Sequence, residues 1–177
     1  MLLIVAGRTA PNRAVVFGGE HDDLDDRGRR DVALIPGRRP ELSRLPGRSV
    51  LRVGPEPSVR QSAELVTALP AGRPGSGVPA GLAVDPRLAT LDIGSWRGLT
   101  PEQIPAHDLG AWFADPAATP HGGESVSGFV ERIVAHVSTL DPSVTLVVAK
   151  AVAQALLCPR PEEYFATEVK PASLHRL

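Results

Sequence analysis

Cysteine is almost missing from this chain. Cys158 is the only one in 177 residues, which excludes an internal disulfide and a Cys-rich zinc site and fits a reducing compartment. An excess of either charge is missing too. The 19 Lys and Arg against 20 Asp and Glu leave a formal charge of −1, so no long-range field gathers nucleic acid or an anionic membrane, and any anion site has to be a local pocket. No apolar run approaches a membrane span. The opening run Met1–Val5 is too short for a signal peptide and has no positive segment before it. These absences predict a cytoplasmic protein with no nucleic-acid or membrane partner.

The hydrophobic share of 42% is that of an ordinary globule. A chain of this length fits one domain, expected over 1–177, with a core of its own. Leu2 to Val5 reads as a buried parallel strand ended by Gly7. Asp25 is placed to cap a helix from about Asp26 to Ile35, stopped by Pro36-Gly37. Ser49 to Val53 is a second strand, and a helix follows over Ser58 to Leu69. Gly72 to Gly81 is loop.

Between Leu82 and Trp96 the pattern gives only short extended pieces, around Ala83-Val84 and Leu91–Ile93. Thr100 and Gln103 form a capping-box pattern with Pro101 at the first helical position, so a helix is expected to start there. The plainest element is Val126 to Leu140, where Val126, Phe129, Val130, Ile133, Val134, Val137 and Leu140 make an apolar stripe at helical spacing. Val144 to Val148 is another buried strand, Ala151 to Leu157 a helix, and the tail from Thr167 has room for a short edge strand. Strands alternating with helices predict an α/β fold with a mostly parallel sheet covered on both faces. Ligands of such sheets sit beyond the carboxyl ends of the strands, which makes the residues after Val5, Val53 and Val148 the expected pocket lining.

Those strand ends carry a specific resemblance. Val5-Ala6-Gly7-Arg8-Thr9, with Asn12 beyond, is similar to the Arg-His-Gly-Glu-Thr opening of the histidine phosphatases, the group that includes the cofactor-dependent phosphoglycerate mutases. Leu24-Asp25-Asp26-Arg27-Gly28 stands where that family has Leu-Thr-x-x-Gly, and Gly54 to Glu64 stands where it has Ser-Pro-x-x-Arg-Ala-x-Gln-Thr-Ala-Glu. The segment Leu91 to Thr100, Gly122-Gly123-Glu124-Ser125, Val147-Val148-Ala149-Lys150-Ala151 and the ending Pro171 to Leu177 continue the likeness in order. The resemblance implies a phosphoglycerate mutase-like three-layer α/β/α sandwich.

It also implies what is missing. The family's nucleophilic histidine falls on Ala6, its two phosphate-holding arginines on Val5 and Ser58, its acid on Thr90 and its second histidine on Lys150. A methyl group can neither attack phosphorus nor carry a phosphoryl group, and Val5 and Ser58 remove the guanidinium forks that suit phosphate. The expectation is a protein without phosphatase or mutase activity by the family route. Its catalytic residues are undefined, it needs no cofactor or metal, and Arg8, Asn12, Ser58, Thr90 and Lys150 line a vestigial pocket for a small anionic molecule.

Two alternatives stand beside that expectation. One is a repurposed enzyme (a biosynthetic isomerase, lyase or cyclase) using Arg8 and a Lys150 desolvated by Val5 and Ala6. The other is a non-catalytic interaction or scaffold domain, with a homodimer as one form. Arg8 paired with Glu20 or Asp22 is the structural alternative to a ligand role. Of the histidines, His121 is the one nearest to pocket membership and His136 reads as structural. Glu124 is expected to serve the start of the following helix, and Trp112 and Phe113 to pack in the core.

Overall fold

The structure is a computed structural model that describes residues 1–9, 16–18, 22–38, 51–67 and 82–177. Five strands form one sheet among these residues: β1 (Leu2–Val5), β2 (Leu51–Val53), β3 (Leu82–Val84), β4 (Thr145–Val148) and β5 (Leu174–Arg176), in the order β3-β2-β4-β1-β5. All neighbours are parallel except β1 and β5, which pair antiparallel at the edge. The helices are α1 (Asp26–Ala33), the short α2 (Ile35–Arg38), α3 (Pro57–Thr67), α4 (Ala106–Ala114), α5 (Val126–Ser138) and α6 (Lys150–Leu157).

The pleat sorts the buried side chains into two cores, because successive residues of a strand face opposite ways. Leu3, Val5, Leu146 and Val148 pack with Phe129, Ile133 and Val152 of α5 and α6. Ile4, Ala6, Val53 and Val147 pack with Val32, Val59 and Ala63 of α1 and α3. The result is a three-layer α/β/α sandwich whose sheet is hidden on both faces, as the apolar strands predict. Val134 is the exception in the α5 stripe. It lies at the edge of the apolar face and is exposed.

Where local chemistry was misjudged, proline explains most of it. The helix expected to stop at Pro36-Gly37 breaks at Leu34 and takes one more turn as α2, since proline is tolerated in a first turn that needs no N–H donor. At Thr100 the capping box does form, with Gln103 Oε1 accepting the Thr100 N–H at 2.8 Å. It opens only a 3₁₀ turn over Pro101–Gln103, and the α-helix begins at Ala106. An α-helix from Pro101 would need the N–H of residue 105 to reach the carbonyl of residue 101, and residue 105 is proline. Leu91–Ile93 is not extended sheet but lies between 3₁₀ turns at Pro86–Leu88 and Gly94–Trp96.

Two backbone contacts set the loops above the sheet. A Cβ on Gly28 would stand 2.2 Å from the Arg8 carbonyl oxygen, so only glycine lets α1 press against the loop after β1. On the other side the 92–95 and 121–124 segments are clasped by main-chain bonds. Ser95 N–H donates to His121 O at 2.9 Å and Glu124 N–H to Asp92 O at 2.8 Å. Gly94 sits there at φ +48, with 2.2 Å between a built Cβ and His121 O.

Candidate functional site

A cavity of about 500 Å³ opens beyond the carboxyl ends of β1 and β4, with Ala6, Gly7, Ser58, Thr90, Ala149 and Lys150 in its lining. The strands bring these segments together directly. Ala6 N–H donates to Val148 O at 2.9 Å and Gly54 N–H to Val147 O at 3.0 Å. Ser62 then ties the loop after β1 to α3. Its buried Oγ accepts the Gly7 N–H at 3.1 Å and donates to Ser58 O at 2.7 Å.

Ala6 and Ser58 are buried with their edges on the cavity. Val5, expected beside Lys150, is fully buried in the α5–α6 core and is not on the wall. Lys150 begins α6, is exposed, and makes no ion pair among the described residues. The apolar surroundings that a catalytic lysine would need are therefore not found around it. No side chain caps α6, and Ala149, Lys150 and Ala151 of its first turn border the cavity.

Arg8 borders the cavity and does not pair with Asp22; Glu20 lies outside the described residues. Its Nε donates to Asp25 Oδ2 at 2.8 Å. Asp25 is the N-cap of α1 and also accepts the Gly28 N–H. Burial pushes the Asp25 carboxyl up, but these hydrogen bonds and the Arg8 charge outweigh it and leave its pKa below the ordinary value. Arg8 is thus an anchored cation with a carboxylate already attached. Asn12 lies outside the described residues.

Sequence reasoning passed over Glu56 and Arg132. Glu56 is buried between Pro55 and Pro57, lines the cavity, and accepts the Thr90 N–H on Oε1 at 2.7 Å. The signal was a charged residue in the turn between β2 and α3, in a stretch too proline-rich to be read by period. Arg132 of α5 grips Glu124 with two bonds of 2.8 and 2.9 Å and donates to the carbonyls of Arg87 and Ala89. It thereby fixes the segment that presents Thr90. Glu124 serves this clamp, while Ser125 caps α5 through the Gly128 N–H at 3.1 Å.

Part of the lining is aromatic. Phe17, Trp112, Tyr164 and Phe165 supply it, with Trp112 and Phe165 centroids 4.6 Å apart and Tyr164 and Phe165 5.1 Å apart, both edge to face. Trp112 is buried as expected, whereas Phe113 is 52% exposed. No histidine lines the cavity among the described residues. His121 is buried behind Trp112, 5.8 Å between centroids, and its Nδ1 accepts the Gly123 N–H at 3.0 Å. Burial lowers the His121 pKa, so its ring is held neutral. His136 is paired with Asp85 at 2.8 Å, away from the cavity. No group of three metal-ligating side chains occurs among the described residues.

Chemically, the described lining offers the Ser58 and Thr90 hydroxyls, the Glu56 carboxyl group and the Lys150 ammonium group, and no imidazole. No helix among the described residues is long and apolar enough to cross a membrane.

Known proteins share this fold. A mycobacterial glucosyl-3-phosphoglycerate phosphatase superposes with a TM-score of 0.69 at 23% identity, over 98% of this chain and 87% of its own. A structure named mycobacterial hydrolase 1 gives 0.71 at 24% over 98% and 88%. The protein TTHB049 from Thermus thermophilus gives 0.71 at 22% over 98% and 89%. No curated protein sequence matches the chain. The family profile of the histidine phosphatase superfamily (branch 1) matches residues 1–177. This chain belongs to the histidine phosphatase superfamily.

Proposed function

We propose that this protein keeps the family's pocket as a binding site for a small anionic molecule and has lost the family's phosphoryl transfer. The observation that carries the reading is Ala6. It stands at the end of β1, on the cavity edge, at the position that corresponds in sequence to the nucleophilic histidine. Ser58, Thr90 and Lys150 stand at the other three corresponding positions that reach the cavity. Lys150 supplies the positive charge and the Ser58 and Thr90 hydroxyls supply neutral hydrogen bonds. The phosphatase named among the structural relatives supports the fold at 23% identity and does not bear on these substitutions.

Loss of a catalytic nucleophile costs on the order of 10⁶ in rate, which takes a working kcat of about 10 per second to about 10⁻⁵ per second. A generic phosphomonoester assay on the purified chain is expected to stay at that background. A rate above about 10⁻² per second that follows the protein through a second column would overturn the loss of phosphatase chemistry. Binding is tested by a thermal-shift screen of phosphorylated metabolites and carboxylates. A ligand at 100 times its Kd adds about 2.7 kcal/mol. At about 2.1 cal/mol/K per residue the unfolding entropy is about 0.37 kcal/mol/K, so the melting point rises by about 7 °C. A folded protein that responds to nothing in the screen would remove the binding reading in favour of a scaffold role.

A further inference from the structure

The cavity is far larger than an anion, and its composition is unusual for this chain. The sequence has only four Phe, two Trp and one Tyr, and Phe17, Trp112, Tyr164 and Phe165 all line this one space. Four of seven aromatic side chains in one lining, with Phe17 and Phe165 half-buried there and the edges of the buried Trp112 and Tyr164 beside them, point to a planar, apolar occupant, since aromatic faces and edges pack best against another ring.

The polar part of the lining selects the head group by charge. Arg8 is already matched by Asp25, Glu56 brings a carboxyl group into the lining, and Lys150 is the cation of this lining that makes no ion pair among the described residues. A phosphate monoester carries nearly two negative charges and three strong acceptor oxygens. One lysine with two hydroxyls, beside a carboxyl group, matches such a group poorly. A carboxylate carries one charge and two oxygens and suits the same donors well.

Resting on the anion-binding reading above, we propose that the occupant is an aromatic monocarboxylate. Its carboxylate lies at Lys150, Ser58 and Thr90, and its ring system lies against the Phe17, Trp112, Tyr164 and Phe165 wall.

The test compares three probes by isothermal titration on the full chain: 2-naphthoate, 2-naphthyl phosphate with the same ring, and hexanoate with the same head group. We expect 2-naphthoate to bind about tenfold or more tightly than either of the others, from ring packing on one side and charge match on the other. Lys150→Met is expected to weaken 2-naphthoate by up to about fivefold, as for an exposed ion pair, and added salt to do the same in the wild type. Phe165→Leu, checked for folding by circular dichroism, is expected to lower 2-naphthoate affinity and leave hexanoate unchanged. Should Phe165→Leu unfold, Phe17→Leu takes its place with the same expectation.

Naphthyl phosphate binding as tightly as naphthoate would overturn the monocarboxylate and leave anion binding standing. Hexanoate binding as tightly would overturn the aromatic body and likewise leave anion binding standing. Hits in the wider thermal-shift screen with no binding by 2-naphthoate would sink this inference alone. Silence in both experiments would sink it together with the reading it rests on.

Discussion

Replacing His136 by phenylalanine keeps a ring in the same space and removes the donor facing Asp85. The pair is deeply enclosed, with side chains 5% and 4% exposed and 2.8 Å between Nε2 and Oδ2. Removing one partner of such a pair, and so leaving a buried charge without it, typically costs about 3–5 kcal/mol. The low end applies here, because Arg87 still gives Asp85 a main-chain N–H at 3.1 Å and its Nε at 3.3 Å. A loss of about 3 kcal/mol against an unfolding entropy of about 0.37 kcal/mol/K lowers the melting point by about 8 °C.

The pH dependence adds a second readout. Burial pushes the Asp85 carboxyl up, but the His136 hydrogen bond and the Arg87 contacts outweigh it, so its folded pKa lies below the ordinary value. Its stabilisation is therefore present above the unfolded pKa of about 3.9 and is lost as pH falls through the lower folded value. The variant has less of this contribution to lose, so the gap between the two melting curves should narrow in acid. Thermal melts followed by circular dichroism at about pH 7 and at successive steps below about pH 4 measure both effects. A gap under about 2 °C at neutral pH, or one that stays constant into acid, would refute the reasoning. A double variant with Asp85→Leu should regain only part of the loss, since the buried carboxylate goes with its partner while the Arg87 N–H loses its acceptor.

Gly28→Ala drives a methyl group onto the Arg8 carbonyl, a backbone atom that cannot swing aside, and is expected to cost about 1–3 kcal/mol by overpacking; an unchanged melting point would contradict the close approach. Ser62→Ala leaves the Gly7 N–H buried without an acceptor and should lower the urea midpoint by the equivalent of about 1–3 kcal/mol at constant slope. Ala6→His should leave 2-naphthyl phosphate hydrolysis at the wild-type background, because each missing donor to the developing charge is itself worth about 10²–10³ in rate; an increase visible over a day's incubation would show that the remaining groups still suffice.

How much was legible depended on whether the signal was local. The strands β1 and β4 and the helix α5 could be read because burial on both faces, or on one stripe, leaves an unbroken or regularly spaced apolar pattern. Leu91 and Ile93 misled because two buried residues around an exposed Asp92 imitate a strand, while 3₁₀ turns produce the same inward spacing over three residues. Thr100 misled because the cap signal is honest about the first turn and silent about Pro105. At the pocket, Ala6, Ser58, Thr90 and Lys150 could be placed because the ordered family likeness assigns their positions, and Ala6 and Lys150 also follow strand ends. The aromatic wall could not be placed, since Phe17, Trp112 and the Tyr164-Phe165 pair lie far apart in the chain and meet only through the topology. Arg8 was legible as a neighbour of the pocket but not as Asp25's partner, a choice settled by the geometry of the α1 cap.

The clasp between the 92–95 and 121–124 segments has a practical consequence. It is made by peptide groups and glycine, with side-chain bonds from Asp92, Ser95 and His121, so its shape depends little on the apolar side chains beside it. Leu91, Ile93 and Trp112 can then be exchanged, a few at a time, to re-line the chamber while its frame stays put. A protein built this way is a convenient starting shell for engineering small-molecule receptors, because affinity for a new guest can be selected at the wall without redesigning the loops that hold it.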